Sequence, residues 1–157
     1  MASWRIEGRD PADPSAVAAV AAYAAELAAL LGPATPTISD PDLDEYRPPS
    51  GAFLVVSDDG EVLGCAGLRT LETTAYGTVA EVKRMWVSPT LRGQGAGRAL
   101  LERLHEEARA RGLNQVVLDS KRDLEDARRL YLAAGYTDVG RYNDNPDATA
   151  WMHRRLG

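Results

Sequence analysis

The chain has 157 residues, enough for one hydrophobic core, and it is 45% hydrophobic and 26% charged like an ordinary soluble globular protein. We therefore predict a single domain spanning residues 1–157. The net charge of −5 argues against a nucleic-acid partner bound through its phosphates. Cys65 is the only cysteine, and with two histidines it cannot form the usual His/Cys zinc site. We predict no disulfide within the chain and no metal cofactor.

The first thirty residues contain the most apolar part of the chain. Residues 1–7 have no signal-peptide pattern. Residues 16–31 are mostly alanine and are interrupted by Glu26, so we predict that they are too short and too polar to span a bilayer. A cytoplasmic protein without a membrane partner is the resulting expectation.

In chain order, Trp4 and Ile6 alternate with charged residues and predict a short first strand. Ser15 can cap a helix that Gly32 ends at about residue 31. Residues 33–50 contain five prolines and predict an irregular loop or a short helical turn. We expect one apolar stripe of the helix to face the core, formed by Val17, Val20, Ala24, Leu27 and Leu31.

The second part of the chain alternates strands and helices. A turn at residues 58–60 predicts a hairpin, and the apolar run 116–118 predicts a strand buried on both faces. We predict that His105, in a charged helical region, lies at the surface. Predicted strands cover 52–57, 62–71, 78–87, 116–118, 136–142 and 149–155, and predicted helices cover 95–111 and 123–134. This order indicates a mixed α/β fold with an antiparallel meander followed by a β-α-β-α-β unit.

A glycine-rich loop lies between a strand and a helix at residues 92–97, an arrangement typical of a pyrophosphate site. Glycines let the backbone approach an anion, and the free N–H groups of a helix N-terminus favour it. A dinucleotide fingerprint would need a third glycine at position 98 or 100, which are Arg98 and Leu100. The Gly-Lys-Ser/Thr of nucleotide hydrolases is absent. The spacing therefore excludes both nucleotide-binding classes.

The pattern that fits is R-x-x-G-x-G, formed by Arg92, Gly95 and Gly97 after the strand 81–87 and Ser88-Pro89. It resembles the general N-acetyltransferase (GNAT) superfamily. Leu130-Tyr131 and Gly135-Tyr136 resemble that family's L-Y-x-x-x-G-F/Y segment, and residues 142–146 with Trp151 resemble a bacterial subgroup of small-molecule-type members. The resemblance implies a central mixed sheet of six or seven strands flanked by about four helices.

The resemblance also implies a co-substrate, acetyl-CoA, and the residues that bind it. In the family, main-chain groups of the strand before the loop pair with the pantetheine arm and the thioester, and loop amides bind the pyrophosphate. The matching strand residues are Met85, Trp86 and Val87. The matching loop residues are Arg92, Gly93, Gln94, Gly95, Ala96, Gly97 and Arg98.

Two side chains match catalytic positions of the family. Glu81 matches a glutamate general base, although a strand glutamate paired with an arginine or lysine is an equal alternative. Tyr131 matches the tyrosine that protonates the departing thiolate, although burial in a helical stripe would also explain it. Tyr23 and Glu26 on the first helix border the acceptor site in this family, or else they lie on an exposed helix face.

The expected function is therefore acetyl transfer from acetyl-CoA to a primary amine by direct attack. Cys65 is far from the motif, which makes a covalent intermediate the weaker expectation. The alternatives are a non-catalytic acyl-CoA-binding sensor or scaffold, and a transferase that uses a longer acyl-CoA. The acceptor is a small-molecule or peptide amine that the sequence does not identify. Dimers are common in this fold, so a homodimer is also an expectation.

Overall fold

The computed structural model describes residues 3–32 and 43–157, which form one seven-stranded sheet and three α-helices. The strand order is β1-β2-β3-β4-β5-β7-β6. The strands are β1 Arg5–Gly8, β2 Ala52–Asp58, β3 Glu61–Thr73, β4 Gly77–Val87, β5 Gln115–Ser120, β6 Thr137–Val139 and β7 Ala150–Arg155. The helices are α1 Pro14–Leu31, α2 Ala96–Ala110 and α3 Glu125–Ala133, with 3₁₀ turns at Leu43–Tyr46 and Pro89–Leu91.

The mixed α/β fold predicted from the sequence is confirmed. Strands β1 to β4 form the antiparallel meander, and β5 pairs with β4 in parallel and with β7 antiparallel. The described residues contain three α-helices rather than about four, because the part of 33–50 that is described forms only a 3₁₀ turn. Residues 33–42, within the predicted loop, lie outside the described ranges.

Two local features explain this topology. The β2–β3 hairpin turns at Asp59 and Gly60, whose φ angles of 51° and 79° are left-handed and suit a tight turn. Strand β5 lies inside the sheet between β4 and β7, and Val116, Val117 and Leu118 are all buried as the apolar run predicts. The crossover through α2 then places the glycine loop at the end of β4.

The sheet separates two apolar layers. A large cluster lies between one face and α2 and α3, and a smaller one lies between the other face and α1. The prediction that His105 lies at the surface is wrong, because this α2 side chain is fully buried in the large layer. Its Nε2 lies 2.7 Å from the Tyr136 hydroxyl, a partner distant in the sequence.

The predicted stripe of α1 is only partly correct. Val17 is 55% exposed, whereas Ala16 and Ala19 are fully buried against the sheet. In a helix that is mostly alanine, apolar periodicity does not mark the core-facing side, because small residues permit the closest approach.

The expectation that α1 is too short and too polar for a membrane is also corrected. Among the described residues, it is a helix of 18 residues with a mean hydropathy of 1.6, long and apolar enough by length and composition. In this fold it packs on the sheet through Ala16 and Ala19, and Glu26 points to the glycine loop.

Candidate active site

The glycine loop after β4 leads into an uncapped N-terminus of α2. Gly93 and Gly95 have φ angles of 84° and 83°, which a residue with a Cβ adopts only with strain. No side chain caps α2, and within the described chain no group accepts the N–H of Gly95, Ala96 or Gly97. These N–H groups are free to bind a negatively charged ligand.

The loop also needs glycine for packing. A Cβ on Gly97 would lie 3.0 Å from Leu130 Cδ2, so α3 approaches the first turn of α2 at this point. Tyr131 is the next residue of α3 and lies in the apolar cluster between the sheet, α2 and α3. The two motifs noted in the sequence are therefore neighbours in space.

Strands β4 and β5 separate directly before this loop. They pair only from Ala80↔Val116 to Val82↔Leu118, and the following residues of β4 have no partner on β5. Met85, Trp86 and Val87 therefore present one main-chain edge to the gap. An edge of this kind can pair with an extended ligand.

Tyr131 lies close to this gap with a hydroxyl group that has no partner. The side chain is 6% exposed, and within residues 3–32 and 43–157 its hydroxyl forms no hydrogen bond. Its ring lies edge-on to Tyr136, with the centroids 6.0 Å apart. Burial raises the pKa of Tyr131 well above its usual value, so the phenol remains protonated at neutral pH.

Glu81 lies on β4, fully buried, and both of its carboxylate oxygens accept hydrogen bonds. Arg69 Nε donates to Oε1 at 2.7 Å, and the Tyr142 hydroxyl donates to Oε2 at 2.5 Å. Arg69 also donates to Glu45 at 2.6 Å. Two carboxylates thus share one guanidinium, and this part of the site has an excess negative charge.

A second ion pair extends this network across the gap. Lys83 Nζ lies 3.2 Å from Asp119 Oδ1, and Asn143 Nδ2 donates to Asp119 Oδ2 at 2.6 Å. Trp151 Nε1 donates to Asn143 Oδ1 at 2.9 Å and orients that amide. The network lies on the α1 face of the sheet, which we call the acceptor face.

The two α1 residues predicted to border the acceptor lie in different surroundings. Glu26 is bonded to the loop and the strand, since it pairs with Arg92 and accepts from Trp86 Nε1 at 3.2 Å. Tyr23 packs against the apolar cluster of the acceptor face, and its pKa is raised to about 12 mainly by burial. Tyr23 thus lies on the acceptor face, whereas Glu26 links α1 to the glycine loop.

Several residues of this network were missed by the sequence interpretation. Asp119, Asn143 and Tyr142 come from β5 and the loop after β6, and no local motif joins them to β4. The run 142–146 was noted only as a subgroup feature. One available signal was the spacing of Glu81 and Lys83, since residues two apart on a strand share a face.

Cys65 and His153 occupy structural positions, as expected. The Cys65 thiol is buried and donates to the Arg84 carbonyl at 3.2 Å, and burial raises the pKa of this thiol to about 12. His153 contacts Gln115 and stacks on Tyr76. Among the described residues no group of three or more His, Cys, Asp or Glu could hold a metal ion.

The comparison with protein families agrees with this geometry. The model of the acetyltransferase (GNAT) family matches residues 20–136. The chain therefore belongs to the GNAT family of acetyltransferases, as the resemblance of its motifs implies.

Two relatives show the range of proteins that this chain is similar to. It is 40% identical over 99 residues to an IAA acetyltransferase of Azospirillum brasilense, covering 63% of each chain. It is 35% identical over 94 residues to aminoglycoside N(6′)-acetyltransferase type 1 of Klebsiella aerogenes, covering 58% of this chain and 62% of that protein. The chain thus spans less than two thirds of the length of these relatives.

Solved structures share the fold at low sequence identity. A GNAT-family acetyltransferase of Staphylococcus aureus superposes with a TM-score of 0.81 at 15% identity, covering 98% of this chain and 99% of the other. N-acetylglutamate synthase of Neisseria gonorrhoeae, solved with coenzyme A and N-acetyl-glutamate, superposes with a TM-score of 0.69 at 19% identity. That superposition covers 98% of this chain and 35% of the synthase.

Proposed function

We propose that residues 1–157 form one N-acetyltransferase domain that moves an acetyl group from acetyl-CoA to a primary amine by direct attack. The observation that supports this most is the gap between β4 and β5 directly beside the uncapped N-terminus of α2. The gap gives an extended ligand a main-chain partner, and the helix end gives its phosphates N–H donors.

The donor half of this site consists mainly of main-chain groups. The N–H groups from Arg92 to Arg98 bind the pyrophosphate, and Met85, Trp86 and Val87 pair with the pantetheine arm and the thioester. Among the described residues, the N–H groups of Gly95, Ala96, Gly97 and Arg98 have no acceptor and fit the ligand, whereas those of Arg92 and Gln94 also donate to the carbonyls of Pro89 and Leu91. The pair Glu26–Arg92 fixes the loop against α1.

The chemical step follows from the same arrangement. A neutral amine attacks the thioester carbonyl carbon, and a main-chain N–H of β4 stabilises the oxyanion that forms. The intermediate then collapses, the carbon–sulfur bond breaks, and Tyr131 gives its proton to the departing thiolate. The nitrogen of the new amide loses its remaining extra proton to solvent, from which Tyr131 is protonated again. The hydroxyl of Tyr131, which has no partner among the described residues and is protonated at neutral pH, is available for this role. Cys65 is buried and protonated, which favours direct attack over a covalent intermediate.

The amine must first lose a proton, and we assign this proton to Glu81. Since both oxygens of Glu81 are bonded, the proton passes through the Tyr142 hydroxyl. Tyr142 accepts a proton from the ammonium group as it donates its own to Glu81 Oε2, 2.5 Å away. Tyr142 is neutral before and after the step, and Glu81 ends protonated.

The acceptor is proposed only as a class. The relatives include an aminoglycoside acetyltransferase and an N-acetylaspartate synthetase, so they differ in the molecules they modify. A small-molecule amine is consistent with them, and Tyr23 borders the place where it would bind. The cytoplasmic location and the homodimer stay predictions.

The test is a thiol-release assay with acetyl-CoA against a broad panel of amines, repeated with propionyl-CoA and butyryl-CoA. We expect turnover of at least one amine, with acetyl-CoA preferred. Tight acetyl-CoA binding without turnover of any amine would support the alternative of a non-catalytic CoA-binding protein. A preference for a longer acyl group would support the other alternative.

A further inference from the structure

Arg84 occupies an unusual backbone position in the middle of β4. Its φ is 53°, in the left-handed region that residues with a Cβ rarely adopt. The other such residue among those described, Asp59, lies in a hairpin turn, where this conformation is ordinary. Backbone strain inside a strand is often retained at functional sites, because the fold uses it to aim a side chain.

A β-bulge produces this conformation. Cys65 pairs with Trp86 and Gly67 pairs with Lys83, so Arg84 and Met85 together lie opposite one residue of β3. The bulge turns the Arg84 side chain onto the acceptor face, where its guanidinium lies 5.7 Å from the centre of the Tyr46 ring. That ring packs against Gly67, where an added Cβ would lie 2.9 Å from it.

The guanidinium of Arg84 has no acidic partner within the described ranges. Three other cations beside the gap are in ion pairs: Arg69 with Glu45 and Glu81, Lys83 with Asp119, and Arg92 with Glu26. Arg141 stacks on Trp151 and donates to main-chain carbonyls. Arg84 is half-buried and donates no hydrogen bond to a described residue, so its five N–H donors are available to a ligand.

We propose that Arg84, positioned over Tyr46, binds a carboxylate of the amine acceptor, and that the enzyme acetylates amines that carry a carboxylate, as α-amino acids do. This inference rests on the proposed function. A planar guanidinium matches a carboxylate with two parallel hydrogen bonds. The excess negative charge at Glu45, Arg69 and Glu81 attracts the ammonium group of the same molecule, so the site has complementary charges for a zwitterion.

The position of Arg84 separates this subsite from that of CoA. Arg84 directly precedes Met85, whose main chain is proposed to contact the thioester, but its side chain lies over Tyr46 of the 3₁₀ turn rather than at the glycine loop. The phosphates of CoA are assigned to the start of α2, on a different part of the molecule.

The first experiment compares L-amino acids with their own carboxamides in the thiol-release assay. We expect at least one amino acid to have a kcat/KM about tenfold or more above that of its amide. In Arg84→Gln the kcat/KM for that amino acid falls about ten- to a hundredfold through KM, while the amide rate and the Kd of acetyl-CoA change less than about twofold. Arg84→Lys retains part of the preference because it keeps the charge but loses the bidentate geometry.

Arg109→Gln, an exposed residue at the end of α2, is the matched control and behaves as wild type. Glutamine and lysine are unbranched at Cβ like arginine, and the melting temperature of each variant checks that it folds. Equal kcat/KM values for amino acids and their amides in the wild type overturn the proposal. An Arg84→Gln variant whose kcat/KM falls equally for both substrates overturns it as well. A loss of acetyl-CoA affinity in Arg84→Gln assigns the residue to CoA and overturns it as well.

A second measurement separates this inference from the proposed function. If no amine is acetylated, the proposed function fails, and binding of the same amino acids to the CoA-saturated protein is measured by calorimetry. Binding that an amide lacks and that Arg84→Gln abolishes supports the subsite without catalysis. Absence of any carboxylate-dependent binding overturns it.

Discussion

The two faces of the gap between β4 and β5 are built in different ways. On the donor side, the backbone of one continuous segment, residues 85–98, provides the proposed ligand contacts. On the acceptor face, side chains from β3, β4, β5, the 3₁₀ turn Leu43–Tyr46 and the loop after β6 form one polar network. A backbone site depends on local conformation, whereas a side-chain network depends on which elements the fold brings together.

This difference explains why the donor could be inferred from the sequence and the acceptor could not. The glycine spacing limits the ligands of residues 92–97 whatever surrounds them. Glu81, by contrast, matches a base position, but only the structure shows that Arg69 and Tyr142 occupy both of its oxygens. Each side can therefore be tested separately, because substitutions on one side should leave the ligand contacts of the other side unchanged.

The largest effect is expected for Tyr131→Phe. Removing the hydroxyl removes the proposed proton donor to the thiolate, and kcat should fall about a thousandfold. The Kd of acetyl-CoA, measured by calorimetry, should change less than about twofold, because the ring still fills its place in the core. Tyr76→Phe, which alters a tyrosine stacked on His153, is the control. Unchanged kcat in Tyr131→Phe would remove this residue from the mechanism.

A smaller loss is expected for Glu81→Gln on the acceptor face. Glutamine keeps the shape but cannot take up the amine proton, so kcat/KM for the amine should fall about a hundredfold. The Tyr142→Phe substitution breaks the proposed proton path and should lower kcat/KM for the amine by about the same factor. The double variant should be little worse than either single one, because both act in one path.

Glu125→Gln, at an exposed position of α3, is the control for these two variants. Additive losses in the double variant would show that Tyr142 does not transfer the proton to Glu81. In that case Glu81 and Arg69 would only position the network.

The Gly95→Ala substitution should weaken the binding of acetyl-CoA about tenfold. The φ of 83° strains alanine by about 1 kcal/mol and displaces the N–H groups at the start of α2. The Kd of acetyl-CoA should therefore rise while kcat at saturation is retained. Gly140→Ala is the matched control, since a Cβ there meets no atom within 4 Å and the backbone is ordinary. Equal affinities in both variants would argue against the glycine loop as the phosphate site.

The smallest effect on activity is expected for His105, in the core behind the donor side, where the pH dependence of stability is the test. Arg154 can only donate to Nδ1, at 3.3 Å, so Nε2 bears the proton and donates to the Tyr136 hydroxyl. Burial, with a smaller contribution from Arg154, lowers the pKa of His105 to about 4. The unfolded chain binds this proton near pH 6.5, so stability is complete above that pH and is lost as the pH falls towards 4.

The free energy of unfolding should fall by up to about 1.4 kcal/mol per pH unit in that window, measured by urea titration. His105→Gln should remove most of this dependence. His153→Gln is the comparison, because the pKa of the partly exposed His153 is also lowered by burial and it should account for a smaller part. If the free energy of unfolding depends on pH in His105→Gln as it does in the wild type, other groups cause the loss of stability in acid.

Most of the fold could be predicted because its signals are local. Alternation and turn residues predicted the β2–β3 hairpin, and an apolar run predicted β5. Sequence patterns gave wrong predictions where the composition of a helix was uniform or where a side chain's partner is distant in the sequence. In α1, alanine gave no clear core-facing side, and Val17 proved exposed. His105 was placed at the surface because its helix is charged, whereas Tyr136 and Arg154 satisfy it in the core.

By itself, the sequence predicted the donor half of the proposed site, because glycine conformation and a free helix N-terminus are properties of a short continuous segment. It also determined the mixed sheet, whose strands and turns have their own patterns. Only the tertiary structure decided the acceptor face. Three of its features join residues that are far apart in the chain. They are the ion pair of Glu81 with Arg69, the β-bulge that turns Arg84 onto Tyr46, and the contact of Tyr142 with β4. Their meeting depends on strand register, which no short stretch of residues specifies.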